Sequence, residues 1–192
     1  MILAFDTSAA HVSAALLDGA RLLTRHEEMG RGQAERLMPL LEELLAEADA
    51  TWHDLTAIAV GVGPGNFTGI RISVAAARGL ALGLGIPAIG INGFDAILAT
   101  ASKPGVPCIP APRGQAYLRR TGAEPVLVSA EELDVTSRET DLLTPDYSTL
   151  AEGIARAAAN NPDTTTRPAP LYIKPADAAP SSEVPPVILD GA

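Results

Sequence analysis

Lysine is nearly absent from this 192-residue chain, which carries it only at Lys103 and Lys174. With 23 acidic against 14 basic side chains the formal net charge is −9, and the twelve arginines are scattered rather than clustered. A protein that grips a phosphate backbone unaided needs a basic face, so autonomous binding of RNA or DNA is not expected. Arg113, Arg119 and Arg120 are the nearest approach to a basic patch, and a solvated strand edge accounts for them equally well. The single cysteine, Cys108, excludes a disulfide framework and a cysteine-based zinc site, and beside Ile109 it reads as a small buried residue. Histidine occurs at 11, 26 and 53 with no H-x-x-x-H pair, so no metal site is expected. Aromatic residues make up 4% of the chain, which leaves the core to aliphatic side chains and alanine. The start "MILAFDTS" has no basic stretch and meets Asp6 early, unlike a secretion signal, and no uninterrupted apolar run of membrane-spanning length follows. A cytoplasmic protein without membrane contact is expected.

What is present is ordered. Ile2–Phe5, Val12–Leu17 and Leu22–His26 read as three strands, with Asp18-Gly19 as a two-residue hairpin turn between the second and third. A helix follows over Ala34–Ala48, where Leu37, Leu40, Leu41, Leu44, Leu45 and Ala48 recur at helical spacing. Pro39 within it marks its early turns or a bend. "LTAIAVGVG" is a continuous apolar strand of the kind a parallel sheet buries on both faces. It leads through a glycine-rich turn into a second helix, Thr68–Leu84, and then into the strand "IPAIGIN". Together these form a βαβ unit, and the reading is an α/β fold with mixed sheets. Thirteen of the 16 prolines lie after position 100. There "PCIPA", "QAYLRR" and "EPVLVSA" read as strands, "LAEGIARAAA" as a helix, and "LYIKP" as a late strand or turn. The expected division is a first lobe over 1–100, a smaller second lobe over 101–175 and a flexible tail over 176–192.

The glycine-rich turn, "GVGPGNFTGIRIS" at 61–73, resembles a phosphate loop in composition but not in pattern. Gly69 is followed by Ile70-Arg71 instead of the Lys-Ser/Thr of a P-loop, and both possible registers of the dinucleotide fingerprint put a non-glycine in its sixth place. Asn66 or Thr68 is placed to cap the helix that follows. Asp6 and Ser8 end the first strand, and with Asn66 they are the candidate nucleotide-binding residues. No G-x-S-x-G elbow or nucleophile–base pair supports a protease. The second helix carries small residues along much of its length, a composition suited either to tight packing on its own sheet or to the close approach of a partner helix.

"MILAFDTS", "VSAALLDG", "RLMPLLEELL" and "GVGPGNFTGIRISVAAARGLALGLGIPAIGI", taken together over roughly residues 1–95, closely resemble the TsaB (YeaZ) family. The stretch matching G-P-G-x-F-T-G-x-R-I is the most specific part, represented here by Gly63, Pro64, Gly65, Phe67, Thr68, Gly69 and Arg71. "PLYIK" is similar to a late segment of the family, and "APRGQAYL" to its D-A-R-x-x-E-V-Y strand pair. There Pro110 replaces the Asp and Gln115-Ala116 replaces Glu-Val, while Gln33 stands where the family often has His. The resemblance implies a two-lobed fold of the actin, sugar-kinase and Hsp70 (ASKHA) type, with a shortened second lobe. It implies a noncatalytic subunit that binds a catalytic paralogue, TsaD, in threonylcarbamoyl transfer to adenosine in tRNA. A small ATPase, TsaE, would join them, a homodimer would form without the partner, tRNA would be contacted only indirectly, and ATP or ADP would bind, if at all, at the complex interface. The interface residues this implies are Leu37, Leu41, Leu44 and Leu45 on the first helix and Ile72, Ala76, Gly79 and Leu80 on the second. The alternative is a small-molecule kinase or nucleotide hydrolase of the same superfamily, working through Asp6 and the glycine-rich turn.

Overall fold

The structure is a computed structural model, and it describes residues 1–160 and 165–173. The expected tail over 176–192 lies outside the described residues. Strands β1 (Ile2–Asp6), β2 (His11–Asp18) and β3 (Arg21–Glu28) form the meander, with Gly19 in the left-handed conformation at the β2–β3 turn. Helix α1 (Gln33–Glu47), strand β4 (Ala57–Gly61), helix α2 (Phe67–Leu84) and strand β5 (Ala88–Ile91) follow as read from the sequence. The sheet runs β3-β2-β1-β4-β5, antiparallel within the meander and parallel from β1 to β4 to β5.

The two faces of this sheet differ in the size of their side chains. Alternation along β1, β2 and β4 turns Leu3, Phe5, Val12, Leu16, Ile58 and Val60 to one side, where α1 and α2 lie. It turns Ala4, Ala15, Ala57 and Ala59 to the other. The large face takes the leucines of α1, and the small face admits a helix at short range. That helix is α5 (Leu150–Asn160), which arrives sixty residues later and meets the sheet with Ala151, Ala155 and Ala158 beside Leu150 and Ile154.

Helix α3 (Gly93–Thr100) leads into the second sheet of strands β6 (Val106–Pro110), β7 (Ala116–Leu118), β8 (Val126–Val128) and, after helix α4 (Ala130–Glu139), β9 (Leu142–Leu143). Its order is β8-β7-β6-β9, with β6 antiparallel to β7 and parallel to β9. Meander, helix, parallel strand, helix is the same sequence of moves that built the first sheet. This repetition is the ASKHA arrangement in two related lobes, the second one shortened. The lobes also exchange helices. α3 packs against Ile109 of the second sheet through Phe94 and Ile97, and α5 returns to the first sheet, so residues 150–160 complete the layering of the first lobe. α3 and α5 touch so closely that a Cβ on Gly153 would lie 2.2 Å from the Ala96 carbonyl oxygen.

Helices α3 and α4 are absent from the sequence reading. Their local signals were capping ones. Asn92 accepts from the Asp95 N–H, and Ser129 and Glu132 form a reciprocal capping box. The Ser129 N–H and hydroxyl hold the Glu132 carboxyl below the ordinary range. Residues 171–173, read as a late strand or turn, lie in an extended strap without ladder pairing. Helix α2 has the length and mean hydropathy of a membrane span, but Arg71 and Arg78 interrupt its apolar run. Here it lies along the sheet, with Ile70, Ser73, Val74, Ala77 and Ala81 buried.

Leu37, Leu41, Leu44 and Leu45, expected at a partner interface, are at most 3% exposed and fill the core above β1 and β2. The apolar stripe of α1 is wide because it packs across β2 and β3, and of its large apolar side chains Met38 is left outward, 36% exposed. Urea unfolding separates the two roles. Leu41→Ala should lower stability by about 2–5 kcal/mol, whereas Met38→Ala should change it by about 0.5 kcal/mol or less.

Candidate functional site

The turn after β1 and the loop after β4 meet at the carboxyl ends of two parallel neighbours, where α/β sheets commonly place ligands. Asp6 is 1% exposed. Its Oδ1 accepts from the Ser8 N–H at 2.8 Å, the Ser8 hydroxyl at 2.7 Å and lies 2.9 Å from His11 Nε2. Its Oδ2 occupies the space that a Cβ at residue 61 would need, 1.9 Å away, so Gly61 is required for the carboxylate to lie inside the fold. Tyr147, from the loop before α5, covers His11 with ring centroids 4.9 Å apart. Burial, and then the Asp6 carboxylate, push the Tyr147 phenol above its ordinary pKa. The remaining space, bounded by Asp6, Ser8, Pro64, Ile109, Pro145 and Tyr147, measures about 10 Å³.

That volume holds about one water molecule and no nucleotide. Asp6 and Ser8 satisfy each other, and Asn66 is engaged elsewhere, its side chain accepting from the Gly69 N–H at 2.8 Å as the cap of α2. The three candidate nucleotide-binding residues are therefore not brought together in this space among the described residues. No cluster of three metal-ligating side chains occurs among the described residues. Cys108 is buried, which raises its thiol pKa, so it is held in its unreactive form. Arg119 is committed to Asp95 and to Asn92 Oδ1, and Arg120 reaches Thr136, which dissolves the candidate basic patch.

The signature loop has a structural explanation at each end. A Cβ at Gly69 would lie 1.9 Å from the Thr7 carbonyl oxygen, so only glycine lets α2 start against the β1 turn. The junction is closed by Thr7 Oγ1 donating to Gly69 O at 2.6 Å and by Asn66 N–H donating to Ser8 O at 2.6 Å. Gly63, at φ 96°, and Pro64 sit beneath the strap, where the Leu171 N–H donates to Val62 O at 2.8 Å. Phe67, Thr68 and Arg71 face outward. The loop's glycines serve the close approach of backbone that aims α2.

The outward face is the open surface of the site. Ile72, Ala76 and Leu80 are half-buried along the flank of α2 that faces α1, and Gly79 is exposed beside them. On the other flank Phe67 and Tyr172 stack at 5.2 Å, with Arg71 over the Phe67 ring. Sequence reading missed Tyr172, Tyr147 and His11 as site residues, because tertiary contact brings Tyr147 to His11 and Tyr172 to Arg71 from more than a hundred residues away in the chain. Two measurements check this geometry. Calorimetry with Mg-ATP on the isolated protein should show no saturable binding. Asp6→Ala should cost roughly 3 kcal/mol in urea unfolding, because it strands buried donors of Ser8 and His11.

Comparison with known proteins agrees with this architecture. The family model described as "TsaD: tRNA N6-adenosine threonylcarbamoyltransferase" matches residues 26–172. The tRNA threonylcarbamoyladenosine biosynthesis protein TsaB of Escherichia coli (strain K12) is 37% identical over 91 residues, which is 47% of this chain and 39% of that protein. An uncharacterized protein of Mycobacterium leprae (strain TN) is 31% identical over 202 aligned positions, covering 94% of this chain and 56% of that protein. This chain thus spans about two fifths of the E. coli relative. In fold it is similar to YeaZ from Pseudomonas aeruginosa, with a TM-score of 0.72 at 22% identity over 89% of this chain and 98% of that one. With the family model covering most of its length and the signature loop intact, the chain belongs to the TsaB (YeaZ) family.

Proposed function

We propose that this chain is a scaffold and activator subunit in threonylcarbamoyladenosine modification of tRNA, binding a TsaD-type catalytic paralogue and performing no transfer itself. The observation that carries this reading is the open space around Gly79 and Gly83. Both lie on the exposed face of α2, and a Cβ added to either meets nothing within 4 Å. Each glycine costs a helix about 1 kcal/mol relative to alanine. Nothing inside the fold requires them, so a requirement from outside accounts for them. A second helix backbone approaching within the usual interaxial distance of about 8–10 Å, or closer, is such a requirement.

The pairing surface in this reading is the ridge of Ile72, Ala76, Gly79 and Gly83 on α2 together with Ala34 and Met38 on α1, since the four α1 leucines serve the core. The closed Asp6 network supports a noncatalytic role, because a carboxylate occupied by Ser8 and His11 and sealed by Tyr147 has no open face for a substrate. The catalytic metal and the acceptor adenosine belong to the partner in this scheme. The net charge of −9 supports indirect contact with tRNA. A TsaE-type ATPase would engage the assembled pair, any ATP or ADP would bind at the complex interface, and the same ridge would join two copies when the paralogue is lacking. The place of work is wherever tRNA is modified, the cytoplasm.

Analytical ultracentrifugation of this protein mixed with its cognate TsaD-type paralogue should show a heterodimer. Ala76→Arg and Gly79→Leu should each weaken it by about tenfold or more, a loss of at least 1.4 kcal/mol, with the isolated fold unchanged by circular dichroism. Gly79→Ala should raise the stability of the isolated chain by about 0.5–1 kcal/mol and still weaken the complex. Absence of a heterodimer with the wild-type protein would overturn the proposal.

A further inference from the structure

The flank of α2 turned away from α1 carries a different kind of surface. Phe67 is 40% exposed and Tyr172 44% exposed, and their rings lie 5.2 Å apart. The Arg71 guanidinium carbon sits 3.8 Å from the Phe67 centroid, and its Nε donates to Tyr172 Oη at 3.1 Å. These two contacts fix the guanidinium plane. Nη1 and Nη2 have no hydrogen bond or ion pair among the described residues, whereas Arg25, Arg36, Arg119, Arg138 and Arg156 each pair with a carboxylate. A guanidinium held on an aromatic face with its fork open is prepared to take one carboxylate end-on through two parallel N–H donors. Much of the ordering cost has already been met within the fold.

The flank continues along the helix. Arg78 lies seven residues on, about 10 Å along the axis, and has no carboxylate partner among the described residues. With Leu82, which is 85% exposed, and with Arg167 and Pro168 it lines a groove of about 600 Å³. Exposed apolar side chains alternating with unpaired arginines, on a chain whose overall charge is strongly negative, define what they complement: a segment with acidic side chains beside apolar ones. A nucleic-acid backbone is a poorer match. It would be drawn by a spread of basic groups, and only two lysines exist in the whole chain.

We infer that Arg71, held by Phe67 and Tyr172, is the ionic anchor of the partner interface, binding a carboxylate side chain of the TsaD-type paralogue, with Arg78 taking a second one about a heptad further along the same segment. This assignment rests on the pairing proposed above and names the chemistry of its rim. Phe67 and Tyr172 act as positioning residues for the fork, and the strap that carries Tyr172 is thereby part of the recognition surface.

The test is calorimetric titration of the cognate TsaD-type paralogue into four proteins, wild type, Arg71→Met, Arg71→Lys and Tyr172→Phe, each at 50 and 300 mM NaCl. Thermal unfolding of each variant alone verifies that the surface change leaves the fold intact. Arg71→Met should weaken binding by about 10- to 100-fold, the range of an interface hot spot, and flatten the salt dependence. Arg71→Lys keeps the charge and loses the fork, and should recover only part of the affinity. Tyr172→Phe should weaken binding by about 3- to 10-fold, in the range of one lost hydrogen bond. Arg71→Met binding within about twofold of wild type, with the wild-type salt dependence, would overturn the anchor while leaving the pairing standing. No binding by the wild-type protein would overturn the pairing and the anchor together. A loss of affinity for tRNA instead of for the paralogue would also overturn it.

Discussion

Two stretches of backbone, the turn after β1 and the loop after β4, approach each other until there is no room for a side chain between them. The carbonyl of Thr7 occupies the volume that any residue larger than glycine would fill at position 69. From that contact the direction of α2 follows, because the Thr7 hydroxyl and the Asn66 amide fix its first turn to the end of β1. The burial of Asp6 follows too, since the neighbouring glycine at 61 gives its carboxylate the only space it has. The outer face of α2 is then held at a set height above the sheet. A loop whose glycines serve backbone proximity looks, in one dimension, like a loop whose glycines serve a phosphate. The difference lies in what stands opposite them, which for Gly69 is the Thr7 carbonyl at the end of β1.

Much of the first lobe was legible because its elements are strongly periodic. Three alternating strands, a leucine stripe at helical spacing and a βαβ unit with a glycine turn leave few alternatives. In the second lobe β6, β7, β8 and α5 were legible too, whereas β9, two residues long, is shorter than the window in which alternation can be recognised. Helix α4 has little apolar periodicity and was marked only by a serine and a glutamate three apart. The candidate site was legible in part. Asp6, Ser8 and the glycine-rich turn drew notice in the sequence, but the closure around Asp6 by His11 and Tyr147 depends on side chains brought in from β2 and from the loop before α5. The leucines of α1 show the opposite error. A wide apolar face signals burial, and burial in the chain's own core gives the same signal as burial against a partner.

The two faces of the first sheet also explain why the molecule places its surface features where it does. The large-residue face needs long side chains from two helices, so α1 and α2 stand side by side and their outer sides become the most regular exposed surface of the lobe. The small-residue face is covered by α5, and an opening of about 710 Å³ lies on that side, between α3, the loop before α5 and α5 itself. On α2 the half-buried Ile72, Ala76 and Leu80 pack against the large-residue core, while Phe67, Arg71, Arg78 and Leu82 stand exposed; in the proposed pairing the first group would permit approach and the second supply direction. Close packing and ionic complementarity are different contributions to recognition, the first setting how tightly two surfaces fit and the second which surface is admitted.

The exchange of helices between lobes bears on how the chain is made. The alanine face of the first sheet is complete in its strands once β5 has formed, yet its cover is α5, whose last buried residue is Ala158. During synthesis at about 5–20 residues per second, that face waits several seconds for the helix that belongs to it. A face lined throughout by leucine and left bare for that interval would be an invitation to aggregate; one with alanine at its centre and Leu17, Ile89 and Ile91 around it exposes less oil to water. The modest side chains that let α5 settle so close in the finished protein are the same ones that make its late arrival tolerable to a nascent chain.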